Sequence, residues 1–249
     1  MKRQELTIMA AQINSVAGVE LVKAKGAIEQ FIYSCSHTLR GPLKSITGLI
    51  NIIKQGKGNP ELDSEFLITS IENSVKKMEL VLHDLEQFLT NSKQIVTSQA
   101  VDLRTTVDGV LKTFKQQTKK DSIKINLRIQ QLSGLQTDRN RLEVIFSHLI
   151  LNAIQYHDET KAASQISIHV KVSPKVCFIQ IDDNGIGIKE DVLPHIFELF
   201  YRGSEKSTGS GVGLYIVKEI LSKMGGVIRI RSKYRFGTTV FLAIPNLLP

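Results

Sequence analysis

The chain contains no tryptophan and two cysteines, and no apolar run approaches the length of a membrane-crossing helix. Cys35 and Cys177 lie far apart in apolar contexts. Two such cysteines make neither a disulfide framework nor a zinc site, which favours a reducing, cytoplasmic setting, although a longer parent chain could be membrane-attached. The N-terminus, MKRQELTIMAAQINSV, lacks the compact apolar segment and small-residue cleavage site of a signal peptide. Arginine clusters and interleaved aromatics are missing, so no nucleic-acid partner is expected. There is no G-x-x-x-x-G-K-[ST] phosphate loop, and the histidine-arginine-aspartate and aspartate-phenylalanine-glycine motifs of ordinary protein kinases are absent. No histidine pair has convincing metal-site spacing.

What remains is an ordinary globular composition: 249 residues, 42% hydrophobic and 22% charged, enough for one or two domains. The net charge of +8 is unevenly spread. Residues 1–97 carry 11 Lys and Arg against 10 Asp and Glu, whereas residues 98–249 carry 21 against 14. A basic second half suits an anionic ligand, or is simply a lysine-rich solvated surface.

The pattern changes near residue 95. Before it, apolar residues recur at helical spacing: Leu21, Ala24, Ile28, Phe31 and Cys35, then Leu67, Ile71, Val75, Met78, Leu82, Leu85 and Leu89. Gly56 to Pro60 is the breaker between the two runs, and Asp63 and Ser64 after it are N-cap candidates. The spacing predicts a long helical hairpin over 21–95. It is preceded over 1–20 by a helix of irregular phase, with Leu6, Met9 and Ile13 and a break at Ala17-Gly18. Helices with one narrow apolar seam each make a poor core alone, so the hairpin is expected to dimerise into a four-helix bundle. Beyond residue 98, helices capped by Asp102 and Asp138 alternate with strands at 123–129, 166–172, 176–182, 227–232 and 238–244, and a further helix is expected near 211–224. This predicts an α+β domain over 98–249, a mixed sheet with helices on one face.

Four stretches of the chain could carry chemistry. Asp183-Asn184-Gly185-Ile186-Gly187 follows an apolar strand, and Gly209-Ser210-Gly211-Val212-Gly213-Leu214 precedes an apolar helix. Such glycines let backbone N–H groups approach a phosphate, or they are two tight turns. Asn152 sits inside the apolar helical run Leu149–Ile154, with His148 one turn earlier. A buried Asn must find partners, whether a neighbouring backbone or a Mg²⁺ ion, for which its carbonyl oxygen is a suitable hard ligand. In Tyr33–Leu43 the seam runs Phe31, Cys35, Thr38, Pro42, Ile46 and Leu49, which turns His37 outward on a face with Arg40, Lys44 and Asn51. A neutral imidazole there is an ordinary surface group or a nucleophile. Pro42 removes one helical hydrogen bond just beyond it.

Taken in order, these stretches resemble the kinase core of a sensor histidine kinase. Ser36, His37, Leu39, Arg40, Pro42 and Leu43 look like the family's H-box, Arg139–Tyr156 its N-box, and Asp183, Gly185 and Gly187 its first glycine box. Ile196–Arg202 looks like the F-box, Gly209, Gly211, Gly213 and Leu214 like the second glycine box, and Gly237–Phe241 like the closing strands. The resemblance implies a dimerisation and histidine-phosphotransfer hairpin, followed by the ATP-binding sandwich shared with Hsp90 and type II topoisomerases. It implies ATP-dependent autophosphorylation of His37 and transfer to the aspartate of a response-regulator receiver domain, in a homodimer driven by an upstream sensor. Asn152 is then the Mg²⁺ ligand, and Asp183 accepts the adenine amino group. Tyr156, Gly185, Gly187, Arg202, Gly209, Gly211, Gly213, Leu214 and Thr239 contact the nucleotide, with the segment from about Ile188 to Gly209 as a lid. The alternatives are a non-catalytic nucleotide-binding dimeric scaffold, or another ATPase or protein kinase of the same superfamily.

Three positions depart from the family pattern. Thr38 stands where an acid usually follows the phosphoacceptor. Gly41 stands where a Thr or Asn usually orients the water that hydrolyses the phosphorylated regulator. Gln155 stands where a Lys often approaches the phosphates, a charge that His157 or Lys206 could replace. Slowed autophosphorylation and weak phosphatase activity are the expectations.

Overall fold

A computed structural model describes residues 29, 32, 33, 35–55, 64–118, 123–203 and 209–248. The segments 1–28, 56–63 and 204–208, which include the breaker, the N-terminal seam and Lys206, lie outside the described residues. The chain divides into two compact units, 1–81 and 82–249.

In the first unit, helix α1 is continuous over 35–55, through Pro42. Cys35 is buried, Thr38, Leu39, Pro42, Ile46 and Leu49 are half-buried, and the other described side chains of α1 are exposed. That is the expected seam. Helix α2 runs Ser64–Lys93. Its covered stripe is Leu67, Ile71, Ser74, Met78 and Val81, whereas Val75 and Leu82, assigned to that seam from spacing, are exposed. Together with Ile68, also exposed, they form a second apolar stripe at heptad intervals.

The second unit begins with the last turns of α2, because Asp84, Gln87, Phe88 and Asn91 contact residues far along the chain. Asn91 Oδ1 accepts from Arg141 Nε at 2.8 Å, and Phe88 lies 5.9 Å from the Tyr215 ring. A short antiparallel pair follows, β1 (Gln99–Ala100) with β3 (Gln136–Thr137), which the sequence pattern did not indicate. Helix α3 (Leu103–Thr118) starts at Asp102, whose Oδ1 accepts from Thr105 N at 3.1 Å. Helix α4 (Arg139–Gln155) starts at Asp138 in the same way, through Arg141 N at 3.1 Å. Helix α5 spans Gly213–Lys223.

The remaining strands are β2 (Ile123–Gln131), β4 (Ser164–Val172), β5 (Val176–Asp183), β6 (Val227–Lys233) and β7 (Gly237–Pro245). They form a mixed sheet in the order β2-β4-β5-β7-β6. Only β2 and β4 are parallel, and α4 lies in the crossover between them. One face is buried: Ile166, Ile168, Ile179, Ile181, Val240 and Leu242 alternate with half-buried or exposed residues along their strands. The covering helices contribute Val107 and Phe114, then Leu142, Ile145, Phe146 and Ile150, then Ile216 and Ile220. The expected two-layer α+β architecture, with helices on one face, is the observed one.

Candidate functional site

A cavity of about 490 Å³ opens between α4, the C-terminal end of β5 and the glycine-punctuated loops. It is lined by Asn152 and Tyr156 from α4, Asp183 and Gly187 after β5, Tyr201 and Arg202, and Gly211 and Leu214 at the start of α5. Ile181, Ile186, Ile230 and Val240 give it an apolar floor.

Asp183 anchors one end. Its Oδ1 accepts from Gly185 N at 2.9 Å and Thr238 N at 3.3 Å, so the carboxylate is fixed by backbone from two strand ends. Burial pushes its carboxyl above the usual range, and the neighbouring Asp182 adds to this, while the two N–H donors and Lys161 oppose it. Lys161 Nζ also clamps the turn, donating to Asn184 O at 2.6 Å and to Gly185 O and Phe236 O at 3.2 Å. Nothing in the sequence pattern singled out Lys161, which comes from a loop remote from both glycine runs.

The glycines mainly admit close backbone packing. A Cβ at Gly185 would sit 2.2 Å from the Tyr156 carbonyl oxygen. Gly187 has φ +65° and a Cβ there would meet Lys233 O at 2.1 Å, so only glycine fits both the turn and the approach. Gly211, at φ +77°, packs its backbone on Phe200 and Tyr201. Gly213 makes room for His148, whose Nδ1 would lie 2.9 Å from an added Cβ.

Asn152 anchors the other end. It is half-buried, lines the cavity, and its side-chain amide makes no hydrogen bond to the described residues. This open amide oxygen fits a hard cation. No cluster of three or more His, Cys, Asp or Glu that could hold a metal occurs among the described residues, so such an ion would depend on Asn152 and on oxygens of a bound ligand. His148, one turn earlier, does not line the cavity. It is buried, shares a hydrogen bond with Gln87 Oε1 at 2.9 Å, and is kept neutral chiefly by desolvation, with His83 acting in the same direction and Asp84 opposing. Next to it, Ser210 donates to the Asp84 carboxylate, and its Oγ accepts from Val212 N at 3.2 Å, which ties the second glycine run to the end of α2.

The other expected contacts divide. Tyr156, Asp183, Gly187, Arg202, Gly211 and Leu214 reach the cavity together with Asn152. Gly185, Gly209 and Gly213 shape the surrounding backbone without lining it. Thr239 is misplaced by the sequence reading. Strand alternation turns it to the opposite face, where its Oγ1 donates to Asp182 Oδ1 at 2.7 Å, and its neighbours Thr238 and Val240 face the cavity instead. The pairing of Thr238 with Asp183 in the β5–β7 register would have identified the correct threonine. In the first unit His37 is exposed on α1, with Arg40 and Lys44 also exposed and Thr38 half-buried. A Cβ on Gly41 would touch nothing within 4 Å. Cys177 is buried, its thiol pushed up to about 12 by desolvation, and takes no part.

Comparison with known proteins agrees with this geometry. Residues 137–247 match the family of histidine kinase-, DNA gyrase B- and HSP90-like ATPases. The chain is 32% identical over 220 residues to the signal transduction histidine-protein kinase ArlS of Staphylococcus haemolyticus, covering 84% of this chain and 47% of that protein. Among solved structures, the Acinetobacter baumannii histidine kinase AdeS superposes with a TM-score of 0.67 at 24% identity, covering 85% of this chain and 98% of that one. The histidine kinase ThkA, in its complex with response regulator protein TrrA, superposes with a TM-score of 0.66 at 20% identity, covering 85% of this chain and 59% of that one. The resemblance drawn from the motifs is therefore shown: the chain is a relative of the sensor histidine kinases and carries their ATPase-type domain. It spans less than half the length of the curated relatives it matches. No helix among the described residues is long and apolar enough to cross a membrane.

Proposed function

We propose that this chain is the kinase core of a two-component system: it phosphorylates His37 from ATP and passes the phosphoryl group to the aspartate of a response-regulator receiver domain. The observation that carries this reading is one cavity with a backbone-fixed carboxylate at one end and an unengaged amide at the other, in a chain that also presents an exposed histidine on a separate helix.

In this reading Asp183 accepts the adenine amino hydrogen, while Ile181, Ile186 and Val240 pack the base. Tyr156, Arg202, Leu214 and the backbone at Gly187 and Gly211 contact the ribose and phosphates. Gly185, Gly209 and Gly213 support them through backbone shape, and the segment from about Ile188 to Gly209 is the lid. Mg²⁺, held by Asn152 and the phosphates, would neutralise charge on the leaving group. The imidazole nitrogen of His37 donates its lone pair to the γ-phosphorus. The bond to the β,γ-bridging oxygen breaks, ADP leaves with that electron pair, and the ring's other nitrogen gives up its proton. Thr38 offers a hydroxyl to accept a hydrogen bond from the ring. Catalysis then rests on positioning and charge neutralisation.

The domain limits proposed with this function are 1–20 for a signal-receiving helix, 21–95 for dimerisation and phosphotransfer, and 98–249 for ATP binding. The exposed stripe Ile68, Val75 and Leu82 on α2 supports a homodimer built as a four-helix bundle. The setting is cytoplasmic, with an upstream sensor. Incubation with γ-labelled ATP tests the reading. Acid-labile, base-stable label on the wild type, absent from His37→Ala, supports it; label resistant to acid, or none with ATP bound, refutes it.

A further inference from the structure

We propose that the open face of the five-stranded sheet is a docking surface for an acidic protein partner that inserts an apolar anchor. One face of the sheet is covered by α3, α4 and α5; no described element of the second unit covers the other. Strand alternation places Lys124 and Arg128 of β2, Lys171 of β4, and Arg229, Arg231 and Lys233 of β6 on the open face. All six cations are exposed, and none forms an ion pair among the described residues. Asp182 is the one acid the strands place there. Its carboxylate is already used, accepting from Gln180 Nε2 at 2.9 Å and from Thr239 Oγ1 at 2.7 Å.

Toward one end of the strands this face carries apolar side chains. Phe178, Ala243 and Val227 stand in one register row across β5, β7 and β6. Phe178 is 51% exposed and Val227 60%. The next row runs Arg128, His169, Gln180, Phe241 and Arg229. Between the rows lies a shallow concavity of about 520 Å³, lined by Arg128, His169, Lys171, Phe178, Gln180 and Phe241.

Exposed apolar side chains beside cations form a surface that a protein partner can use, and charge of one sign selects a partner of the other and speeds its encounter. The concavity fits a protruding side chain. A flat lipid surface would meet the cations and leave the concavity unfilled. A single nucleic-acid strand needs successive open aromatic faces, yet the Phe241 ring has the Arg231 guanidinium 5.4 Å from its centroid. Phe178 is left as the open ring.

The test uses the whole chain and a short labelled Glu/Ser peptide with one central Phe, followed by fluorescence anisotropy. Controls are the same peptide with Ala in place of Phe, a uridine-rich RNA, and phosphatidylserine vesicles. Saturable binding of the Phe peptide is expected, weakened on the order of tenfold by the Ala peptide and by Arg229→Glu/Arg231→Glu. Arg229→Gln/Arg231→Gln should show an intermediate loss. ATP affinity should stay unchanged in both variants, since neither arginine lines the nucleotide cavity; this also verifies their fold. Amide shifts on peptide addition should map to the concavity strands β2, β4, β5 and β7 and to β6 beside them. No binding would mean that the cations only keep an open sheet face solvated, and the proposal falls. It falls equally if binding ignores the arginine variants, or if RNA or vesicles bind more tightly than the peptide.

Discussion

The helical unit and the sandwich use the same apolar residue types to different ends. In the sandwich, Phe146, Ile150, Ile168 and Val217 are completely buried, and its helices and sheet cover each other. In the helical unit, Ile32, Leu43, Ile68 and Phe66 are each more than half exposed. A domain that satisfies its own core can hold a rigid cavity, whereas helices with spare apolar stripes are built to meet something else. In the proposed function, nucleotide recognition and phosphoacceptance therefore separate, one to each region.

The most severe way to break that comparison is to remove the proposed phosphoacceptor. His37→Ala should abolish labelling from γ-labelled ATP and leave ATP affinity within error of the wild type by calorimetry. A labelled His37→Ala chain would move the chemistry to another residue. Next in size is the exposed stripe of α2. Val75→Lys/Leu82→Lys places charge in the apolar stripe, where burial of unpaired charge costs several kcal/mol. Sedimentation should show dimer affinity weakened by about a hundredfold or more, while ATP binding by the sandwich persists. A dimer of unchanged affinity would show that this stripe is not the interface.

The two ends of the cavity come third. Asn152→Ala and Asp183→Asn should each lower ATP affinity by about tenfold or more, consistent with loss of a charge-assisted or polar contact in a buried site. Asp183 also gives a pH dependence of opposite sign for binding and for stability. Its carboxyl titrates above the ordinary range because it is buried. Its protonated form is therefore favoured by folding. In the ligand-free protein its contribution to stability is fully present below the ordinary carboxylate value and is lost as the pH rises through the raised one. Adenine needs the ionised acceptor, so ATP affinity should fall as the pH drops through that same raised value. Asp183→Asn keeps an acceptor oxygen for Gly185 and Thr238 but not the charge. At neutral pH it should raise the melting temperature without nucleotide and remove this acid-side loss of affinity. A lowered melting temperature would show that the carboxylate is better compensated than its burial implies.

How far the sequence foretold these features depended on whether neighbours in space were also neighbours along the chain. Period-two and period-3.6 patterns located every major element of the sandwich, and the caps at Asp102 and Asp138 fell where short polar residues precede apolar runs. The glycine runs and Asn152 converge on one cavity, as their order suggested. What escaped was long-range. Lys161 reaches the turn at Asn184 and Gly185 only because β4 and β5 are paired beside it. The facing of Thr238 and Thr239 escaped because it depends on strand register, and a shift of one residue inverts it. On α2, spacing alone could not say which of two adjacent stripes, Ile71 and Met78 or Val75 and Leu82, would be the covered one. The cationic sheet face escaped for the same reason: Arg128, Lys171 and Arg229 are far apart in sequence and adjacent only across strands.

The smallest expected effect concerns Gly41, one turn after His37. A phosphatase step needs a water held in line with the aspartyl phosphate of the regulator, and glycine has no side chain to hold one. Nor is glycine demanded by packing, because α1 is helical there and an added Cβ would meet nothing within 4 Å. Gly41→Thr should therefore fold normally, and Thr costs no more than Gly in a helix interior. The added hydroxyl can orient a water at the position of attack. Regulator dephosphorylation should quicken a few-fold, since correct positioning of one group is all that is supplied. Labelling of His37 should change little, because Thr38 is untouched. The decisive measurement is phospho-regulator half-life with ADP present, for wild type, Gly41→Thr and Gly41→Ala. Acceleration by Thr but not by Ala assigns the gain to the hydroxyl rather than to a stiffer helix. Rapid dephosphorylation by the wild type, unaltered in both variants, would show that another group already holds the water and that Gly41 limits nothing.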